Sequence, residues 1–393
     1  MSQHVSQPRS LALFCKVVDN YGDIGICWRF SRQLQKEHGI NVTLWVDDLK
    51  SFQRICPEIA TNNDEQFVDG INIRHWRDQL GEFSSAEIAD IVIEFFACDI
   101  PPGYIAAMAT CTPQPVWLNL EGLSAEEWVE GCHTLPSPHP SMPLTKHFFF
   151  PGFTEKTGGL LFEAQLERER RQFQADPQTR ADFLTQFGIE KNALNTFLVS
   201  LFCYPDAPVS ALFDAWKNNA SPVTCLIPEG VASEATQAFL GQAAHAGNFA
   251  THGALTVRVF PFIPQSEYDK LLWSCDLNFV RGEDSFVRAQ WAGKPFIWHI
   301  YPQEKNLHHI KLKAFLKRYS ARTPDLINFS EHWNAAAGTD AAWTNLWNAL
   351  LNDLPEIRTR TVDWQHQVMK NGDMTSNLLK FASRVRKCEH KIG

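Results

Sequence analysis

The sequence LALFCKVVDNYGDIGICWRF at residues 11–30 contains an apolar run, a short polar loop and a segment with helical spacing. The run Leu11–Val18 predicts a buried strand, and Gly22 and Gly25 lie in the turn that opens the following helix. A buried strand that leads through a glycine turn into a helix is typical of a parallel α/β sheet. The same alternation continues through most of the chain, so we expect an α/β fold.

Two series of apolar runs predict two sheets. The first series contains six strands: Leu11–Val18, Val42–Val46, Ile71–Trp76, Ile91–Phe96, Val116–Leu120 and His147–Phe150. The second contains five: Phe197–Cys203, Val223–Ile227, Leu255–Phe260, Asp276–Val280 and Phe296–Trp298. The chain after Asn306 has helical spacing. The sequence therefore predicts two Rossmann-like domains facing across a cleft.

The predicted domain boundaries follow from composition. We expect a first Rossmann-like domain over 1–165, a charged helical linker over 166–190, broken by Pro177, and a second Rossmann-like domain over 191–360. Helices over 361–393 would pack back toward the first domain. Within the first domain, Ser124 and Glu127 have the spacing of a capping box, which predicts a helix start.

The charge balance excludes nucleic acid as the main ligand. The 36 basic and 44 acidic side chains give a net charge of −8, so no uniform positive field attracts a phosphate backbone. The acidic excess lies in residues 1–165, which carry 11 basic and 21 acidic side chains. This asymmetry fits a molecule whose two halves meet different ligands, one basic and one anionic.

The cysteines indicate the compartment. The ten cysteines form no CxxC pair and no cluster with histidines, and most lie inside apolar runs. They predict buried, reduced thiols in a cytoplasmic protein. No stretch approaches the ~20 apolar residues of a membrane span, and no export signal precedes the first strand. We therefore expect a cytoplasmic protein with no membrane partner.

The loop after the first strand is the first candidate site, since ligands of open parallel sheets bind at the carboxyl ends of strands. It carries Asp19, Asn20, Tyr21, Gly22 and Asp23. Its spacing is not GxGxxG, and two acids at a helix start would repel a pyrophosphate. The carboxylates could hold a cationic group, or one could act as a general base. Both could equally be helix caps.

The second candidate site is FVRGEDSFVRAQWAGKPFIW, residues 279–298. Backbone N–H groups at the predicted helix start, with the Ser285 hydroxyl and the Arg281 charge, would bind phosphate. The pattern looks like the nucleotide-binding half of two-domain sugar-nucleotide transferases, the GT-B group. Many of those enzymes carry Glu where this helix has Arg288, which is a departure from their usual ribose contact.

Aromatic and amide side chains at two further strand ends complete the predicted nucleotide site. Phe262 and Gln265 follow the strand Leu255–Phe260, and Tyr301 follows the last strand. Flat rings and an amide suit a pyrimidine base.

Asp47 and Asp48, directly after the predicted strand Val42–Val46, are two adjacent acids. They have no further metal ligand near them in sequence, so a solvated turn is the simpler interpretation there.

Several blocks of the sequence carry a resemblance to one family. They are CKVVDNYGDIGICWR (15–29), IEFFACDIP (93–101), WLNLEGLSAEEW (117–128), FFFPGFTEKTGGL (148–160), FPFIPQ (260–265), RGEDSFVRAQWAGKPF (281–296) and IYPQ (300–303). Together they resemble the bacterial elongation factor P arginine rhamnosyltransferase family, EarP. The resemblance runs nearly end to end and is weakest between residues 165 and 250 and after 306. Gly122 departs from it, since an aromatic residue is expected before Leu-Ser-Ala-Glu.

The resemblance implies an inverting, metal-independent transfer of L-rhamnose from dTDP-β-L-rhamnose to an arginine side-chain nitrogen of translation elongation factor P. That modification would activate the factor for rescue of ribosomes stalled at polyproline. The implied catalytic residues are Asp23, Asp19 and Glu283, and the implied donor nucleotide-binding residues are Phe262, Gln265, Arg281, Asp284, Ser285 and Tyr301. Asn20, Tyr21 and Gly22 would lie near the acceptor or sugar. The domain over 1–165 would bind the protein acceptor, and the domain over 191–360 would bind the sugar nucleotide. No cofactor or metal is expected.

Other functions remain open on the residues alone, because fold does not determine function. The same architecture serves sugar-nucleotide epimerases and glycosyltransferases with small acceptors. A non-catalytic adaptor could also bind a basic protein through the acidic first domain.

Overall fold

The computed structural model describes residues 8–19, 21–77, 81–189, 196–335 and 340–389. The chain divides into two compact units, one formed by Met1–Ala164 with Val368–Gly393 and the other by Gln165–Gln367. Each unit contains one sheet in which most neighbouring strands are parallel. The predicted α/β class is confirmed.

The sheet of the first unit has eight strands. They are β1 (Ser10–Cys15), β2 (Asn41–Val46), β3 (Glu65–Val68), β4 (Ile71–His75), β5 (Ile91–Phe95), β6 (Val116–Leu120), β7 (Pro136–Pro138) and β8 (Thr145–Phe149). Their order is β3-β4-β2-β1-β5-β6-β8-β7. The edge strands β3 and β7 pair antiparallel, and the six between them pair parallel. The central strand β1 is buried from Leu11 to Cys15, as its unbroken apolar run predicts.

The sheet of the second unit has six strands. They are β9 (Phe197–Leu201), β10 (Val223–Pro228), β11 (Phe249–His252), β12 (Leu255–Phe260), β13 (Leu277–Arg281) and β14 (Phe296–His299). Their order is β11-β12-β10-β9-β13-β14, and only the edge strand β11 pairs antiparallel. All eleven predicted strands are present, with ends that differ by at most three residues.

Helices cover the sheets and form the C-terminal part of the second unit. In chain order they are α1 (Gly22–His38), α2 (Leu49–Ile55), α3 (Pro102–Thr110), α4 (Val129–Cys132), α5 (Leu166–Ala175), α6 (Pro177–Thr185), α7 (Val209–Lys217), α8 (Ser233–Leu240), α9 (Gln265–Ser274), α10 (Asp284–Trp291), α11 (Leu307–Tyr319), α12 (Pro324–Ala335), α13 (Asp340–Asn352), α14 (Leu354–Met369) and α15 (Met374–Glu389). None of the described helices is both long enough and apolar enough to cross a membrane.

The tryptophans of the C-terminal helices form part of the core of the second unit. Trp333 lies 4.8 Å from Phe279 of β13, measured between ring centroids. Trp347 lies 5.3 Å from Trp216 of α7. These rings are almost fully buried, so they close the sheet on one face instead of forming a surface for a ligand.

Two expectations about the helices are wrong. The segment predicted as a charged helical linker does form helices, α5 and α6, but they pack within the second unit instead of linking two domains: Phe173 lies 5.6 Å from Trp273 between ring centroids. The predicted capping box at Ser124 does not start a helix. The Ser124 hydroxyl accepts a hydrogen bond from the backbone N–H of Glu126 at 3.1 Å, and α4 begins only at Val129.

The chain returns to the first unit at its C-terminal end. The Thr375 hydroxyl donates to the side-chain oxygen of Gln33 on α1 at 2.6 Å. Arg386 donates to Asp90 at 2.8 Å, just before β5. The last helix, α15, therefore belongs structurally to the unit that the first 164 residues begin.

Candidate functional site

In the first unit, the strand order creates a crevice between β1 and β5. The chain leaves β1 through α1 to reach β2 on one side, and β5 lies on the other side. The loops after β1 and β5 therefore diverge at a topological switch point, where open α/β sheets bind ligands. The predicted residues Asp19, Tyr21, Gly22 and Asp23 lie in or directly after the first of these loops. Asn20 lies outside the described residues.

Asp23 anchors the loop after β1 through one of its two carboxylate oxygens. Its Oδ2 accepts hydrogen bonds from the backbone N–H groups of Val18, at 2.7 Å, and Asp19, at 2.8 Å. Its Oδ1 accepts no hydrogen bond from any residue that the structure describes. One oxygen is therefore fixed by the backbone, and the other is left to take up a proton or a donor from a ligand.

The surroundings of Asp23 make it a stronger base than an ordinary aspartate. The side chain is buried, and burial raises its pKa above the usual value. The two backbone hydrogen bonds lower the pKa, and the negative charge of Asp47 raises it. Asp47 lies beside this loop because its Oδ1 accepts the N–H of Val17 at 2.8 Å. The sequence interpretation of Asp47 as part of a solvated turn missed this contact.

Gly22 lies against the Asp19 side chain, which would have to shift if residue 22 carried a Cβ. A Cβ on Gly22 would be 2.6 Å from Asp19 Oδ2, closer than side chains approach one another. The Gly22 N–H also donates to the Asp19 carbonyl at 2.6 Å, which closes a tight turn. The turn brings both predicted catalytic carboxylates to the start of α1.

The loop after β5 forms the other wall of the crevice in the first unit. Phe96, Ala97 and Asp99 have φ angles of 55°, 50° and 52°, which are rare for residues other than glycine. The Cys98 thiol of the same loop donates to the carbonyl of Phe14 on β1 at 3.3 Å. Strained backbone of this kind clusters at binding sites. These residues fall in the block IEFFACDIP but carried no predicted role.

The second unit has its own switch point, between β9 and β13, and Arg281 spans it. Arg281 is the last residue of β13, and its guanidinium carbon lies 4.4 Å from the centre of the Phe202 ring and 4.8 Å from that of Tyr204. Arg281 Nη1 also donates to the Cys203 carbonyl at 3.1 Å. Phe202 and Tyr204 follow β9, a position that the sequence analysis did not select.

The start of α10 brings three predicted donor-site residues together. Glu283 precedes the helix, and Asp284 and Ser285 are its first two residues. The Ser285 hydroxyl accepts the Arg281 N–H at 2.9 Å and donates to the Arg281 carbonyl at 2.5 Å. Because its proton is already donated to a carbonyl, Ser285 closes the turn, and the predicted phosphate contact would require the hydroxyl to rotate.

Gln265 follows β12 and Tyr301 follows β14, and three strands lie between these two in the sheet. The Gln265 amide donates to Asp284 Oδ2 at 3.0 Å, which joins the start of α9 to the start of α10. The Tyr301 ring lies 5.5 Å from Tyr204 and is 40% exposed. Phe262, just before α9, is half-buried. A cation, the exposed ring of Tyr301, the half-buried ring of Phe262 and the buried amide of Gln265 therefore lie at the carboxyl end of this sheet.

His299 fixes the position of Tyr204. Its Nδ1 accepts the Tyr204 N–H at 3.2 Å. Burial lowers the pKa of His299 to about 4, so this nitrogen stays an acceptor near neutral pH.

Among the described residues, no group of three or more His, Cys, Asp or Glu side chains could hold a metal ion. Asp48 is a helix cap: it accepts the N–H groups of Lys50 and Ser51 at the start of α2.

The two α/β units have the architecture of the GT-B class of glycosyltransferases, and the candidate residues lie at the switch point of each unit. Spinosyn rhamnosyltransferase SpnG has the same fold, with a TM-score of 0.52 and 10% identity over 97% of this chain and 100% of that one. The chain belongs to the EarP family: the family model of the elongation factor P (EF-P) rhamnosyltransferase EarP matches residues 11–383.

Relatives agree with this assignment along the whole chain. A protein-arginine rhamnosyltransferase of Pseudomonas putida is 44% identical over 375 residues, which are 94% of this chain and 97% of that protein. One from Shewanella oneidensis is 39% identical over 390 residues, 95% of this chain and 97% of that protein. A solved structure described as the basis for EarP-mediated arginine glycosylation of elongation factor EF-P is 32% identical, with a TM-score of 0.67 over 95% and 99% of the two chains.

Proposed function

We propose that this protein transfers L-rhamnose from dTDP-β-L-rhamnose to a side-chain nitrogen of one arginine in translation elongation factor P. The match to the EarP family over residues 11–383 carries the proposal. The product would activate the factor for rescue of ribosomes stalled at polyproline. The two crevices supply the two kinds of chemistry that such a transfer requires, one for a cationic acceptor and one for an anionic donor.

The acceptor chemistry centres on Asp23. An arginine guanidinium keeps its proton to above roughly pH 12 and is a poor nucleophile. As a guanidinium nitrogen attacks C1 of rhamnose, its proton passes to Asp23 Oδ1, while Oδ2 stays bound to the backbone of Val18 and Asp19. Asp19 would hold the remaining N–H groups, and Glu283 would orient the guanidinium or the sugar.

The donor chemistry belongs to the second unit. The bond between C1 and the dTDP oxygen breaks as the new C–N bond forms on the opposite face, so the β-linked donor gives an α-linked product. The departing diphosphate carries the developing charge. The N–H groups at the start of α10 and the Arg281 guanidinium would stabilise that charge. Phe262, Gln265 and Tyr301 would bind the pyrimidine base.

The proposed reaction needs no metal and takes place in the cytoplasm. The leaving diphosphate would be neutralised by the N–H groups and by Arg281, so we expect full activity in EDTA; an absolute requirement for added magnesium would contradict this account of the donor site. None of the ten cysteines forms a disulfide, which supports a reducing compartment.

The deciding experiment combines the purified protein, dTDP-β-L-rhamnose and folded elongation factor P, followed by mass spectrometry of the factor. We expect one added deoxyhexose on one arginine, and none on a factor in which that arginine is lysine. An epimerase would convert the donor without modifying the factor. A non-catalytic adaptor would bind the factor and consume no donor. Either result would overturn the proposal.

A further inference from the structure

A buried ion pair lies one helical turn behind the donor residues of the second unit. Arg288 Nε donates to Asp269 Oδ1 and Arg288 Nη2 to Asp269 Oδ2, both at 2.8 Å. Arg288 is 2% exposed and Asp269 8% exposed. Arg288 is the residue that departs from the glutamate of many GT-B enzymes. Its guanidinium is directed at Asp269 in a two-bond arrangement that lysine cannot reproduce.

The two helices carry their polar pairs at the same spacing. Asp269 is four residues after Gln265 on α9, and Arg288 is four residues after Asp284 on α10. Residues four apart lie on the same face of a helix, one turn apart. The bond from Gln265 to Asp284 and the pair between Arg288 and Asp269 are therefore two successive cross-links between the first turns of α9 and α10.

The sheet alone would not bring these helix starts together. The helix α9 follows β12 and α10 follows β13, and β10 and β9 lie between those two strands. Three strand spacings separate β12 from β13, which is about 14 Å at ~4.8 Å per spacing. The side chains that would bind the donor come from both helix starts, so their separation must be set by contacts between the helices.

We propose that the Arg288–Asp269 pair is a positioning pair, which holds the starts of α9 and α10 at the separation that the donor nucleotide requires. The inference rests on the proposed function, since it takes that nucleotide to be dTDP. Neither side chain would touch the donor. Loss of the pair would let Gln265 separate from Asp284, and displacements of about 1 Å in a site of this kind cost up to ~100-fold.

The first test measures dTDP binding to the full-length protein by calorimetry. We expect Arg288→Lys and Asp269→Asn each to weaken binding by about tenfold or more. The exchanged pair, Asp269→Arg with Arg288→Asp, should recover most of the affinity because the cross-link is restored. In turnover assays, the KM for dTDP-rhamnose should rise while the KM for elongation factor P stays unchanged. Unchanged dTDP affinity in both single variants would overturn the proposal.

A matched control separates positioning from general destabilisation. Arg360 also makes two guanidinium hydrogen bonds inside the second unit, to the carbonyls of Tyr319 and Arg318 at 2.7 Å each. Arg360→Lys should lower the melting temperature without changing dTDP affinity. If the exchanged pair folds but does not recover binding, Arg288 contacts the donor itself, and the positioning role is wrong.

A second measurement does not depend on the identity of the donor. Amide hydrogen exchange should become faster at residues 265–268 and 284–287 in Arg288→Lys, and not in Arg360→Lys. Unchanged exchange at both helix starts would overturn the proposal. If the wild-type protein binds no dTDP, the proposed donor is wrong, and the exchange experiment still decides whether the pair holds the helices together.

Discussion

The loops after β1 and β13 both follow a buried parallel strand, and both run into a helix whose first turn carries an aspartate. Their carboxylates have different partners. Asp23 accepts two N–H groups from its own loop, whereas Asp284 accepts the Gln265 side chain from another helix. The first loop has Asp47 beside it, and the second begins with Arg281.

This difference shows how one fold supports opposite chemistry at equivalent positions. In the first unit, burial and a neighbouring acid produce a carboxylate with a raised pKa, suited to a cationic acceptor. In the second unit, a guanidinium over two aromatic rings is suited to an anionic, base-containing donor. The strand–loop–helix frame is shared, and we expect a few loop residues to determine which ligand each unit binds.

The largest effect is expected from removal of the base in the first unit. Asp23→Asn should lower the rate of transfer by about 10²- to 10⁴-fold, because the variant cannot accept the guanidinium proton. Affinity for dTDP, measured by calorimetry, should stay close to wild type, since the donor residues lie in the second unit. Asp48→Asn, which changes a helix cap in the same unit, is the control. Near-normal turnover by Asp23→Asn would limit Asp23 to a structural role, as the anchor of the loop after β1.

Removal of the Arg281 cation from the second unit should weaken dTDP binding, the quantity that Asp23→Asn should leave unchanged. Arg281→Met should weaken dTDP binding by about 10- to 100-fold, the value of a charged hydrogen bond to phosphate. Affinity for elongation factor P should not change. Arg258→Met is the matched control, since Arg258 also lies over an aromatic ring, that of Phe249, at 4.2 Å. Equal loss of dTDP affinity in both variants would show that Arg281 has no special role.

The raised pKa of Asp23 predicts the acid side of the pH profile. Asp23 must be ionised to act as a base, so kcat/KM should fall about tenfold per pH unit below its folded pKa. Burial moves this fall to a higher pH than the ordinary aspartate value of about 3.9. The same shift favours the folded state while Asp23 is protonated, and this stabilisation is lost as pH rises through the folded pKa. A fall centred at the ordinary value would contradict the environment described for Asp23.

The smallest effect concerns docking of the acceptor on the acidic first unit. Attraction between exposed charges is screened within ~10 Å at 0.1 M salt, so transfer to folded elongation factor P should fall severalfold as salt rises. A short peptide around the target arginine should be a far poorer substrate, because it lacks the folded surface. Assays at several salt concentrations with both substrates test this. Equal efficiency on both substrates, or indifference to salt, would exclude the first unit as the docking surface.

The sequence predicts the parallel strands of both sheets but not the antiparallel edge strands β3, β7 and β11. The predicted strands are mostly continuous apolar runs. In β3, by contrast, exposed residues alternate with half-buried ones, and Phe67 is 74% exposed. One local signal was present: Asp69-Gly70, with φ angles of 52° and 83°, is a two-residue hairpin turn between β3 and β4. The helix start predicted at Ser124 is wrong because a serine side chain can accept a nearby backbone N–H outside a helix.

The candidate site was predictable where its residues are close in sequence. The turn from Asp19 to Asp23 and the segment from Arg281 to Ser285 could be located because each follows a strand directly. The contacts of Asp47 with the β1 loop, of Tyr204 with Arg281 and of Arg288 with Asp269 join residues that are distant along the chain. The strand order brings the first two pairs together, and the packing of α9 against α10 brings the third together. The sequence pattern specifies neither.

The return of α15 to the first unit determines the order in which the protein can be completed on the ribosome. Residues 165–367 form one continuous unit, all of which is synthesised before α15. The first unit begins earlier but lacks α15, with its contacts to Gln33 and Asp90, until residues 374–389 are made. The unit that carries Asp23 is therefore finished last, and a chain that stops after residue 367 would leave it incomplete.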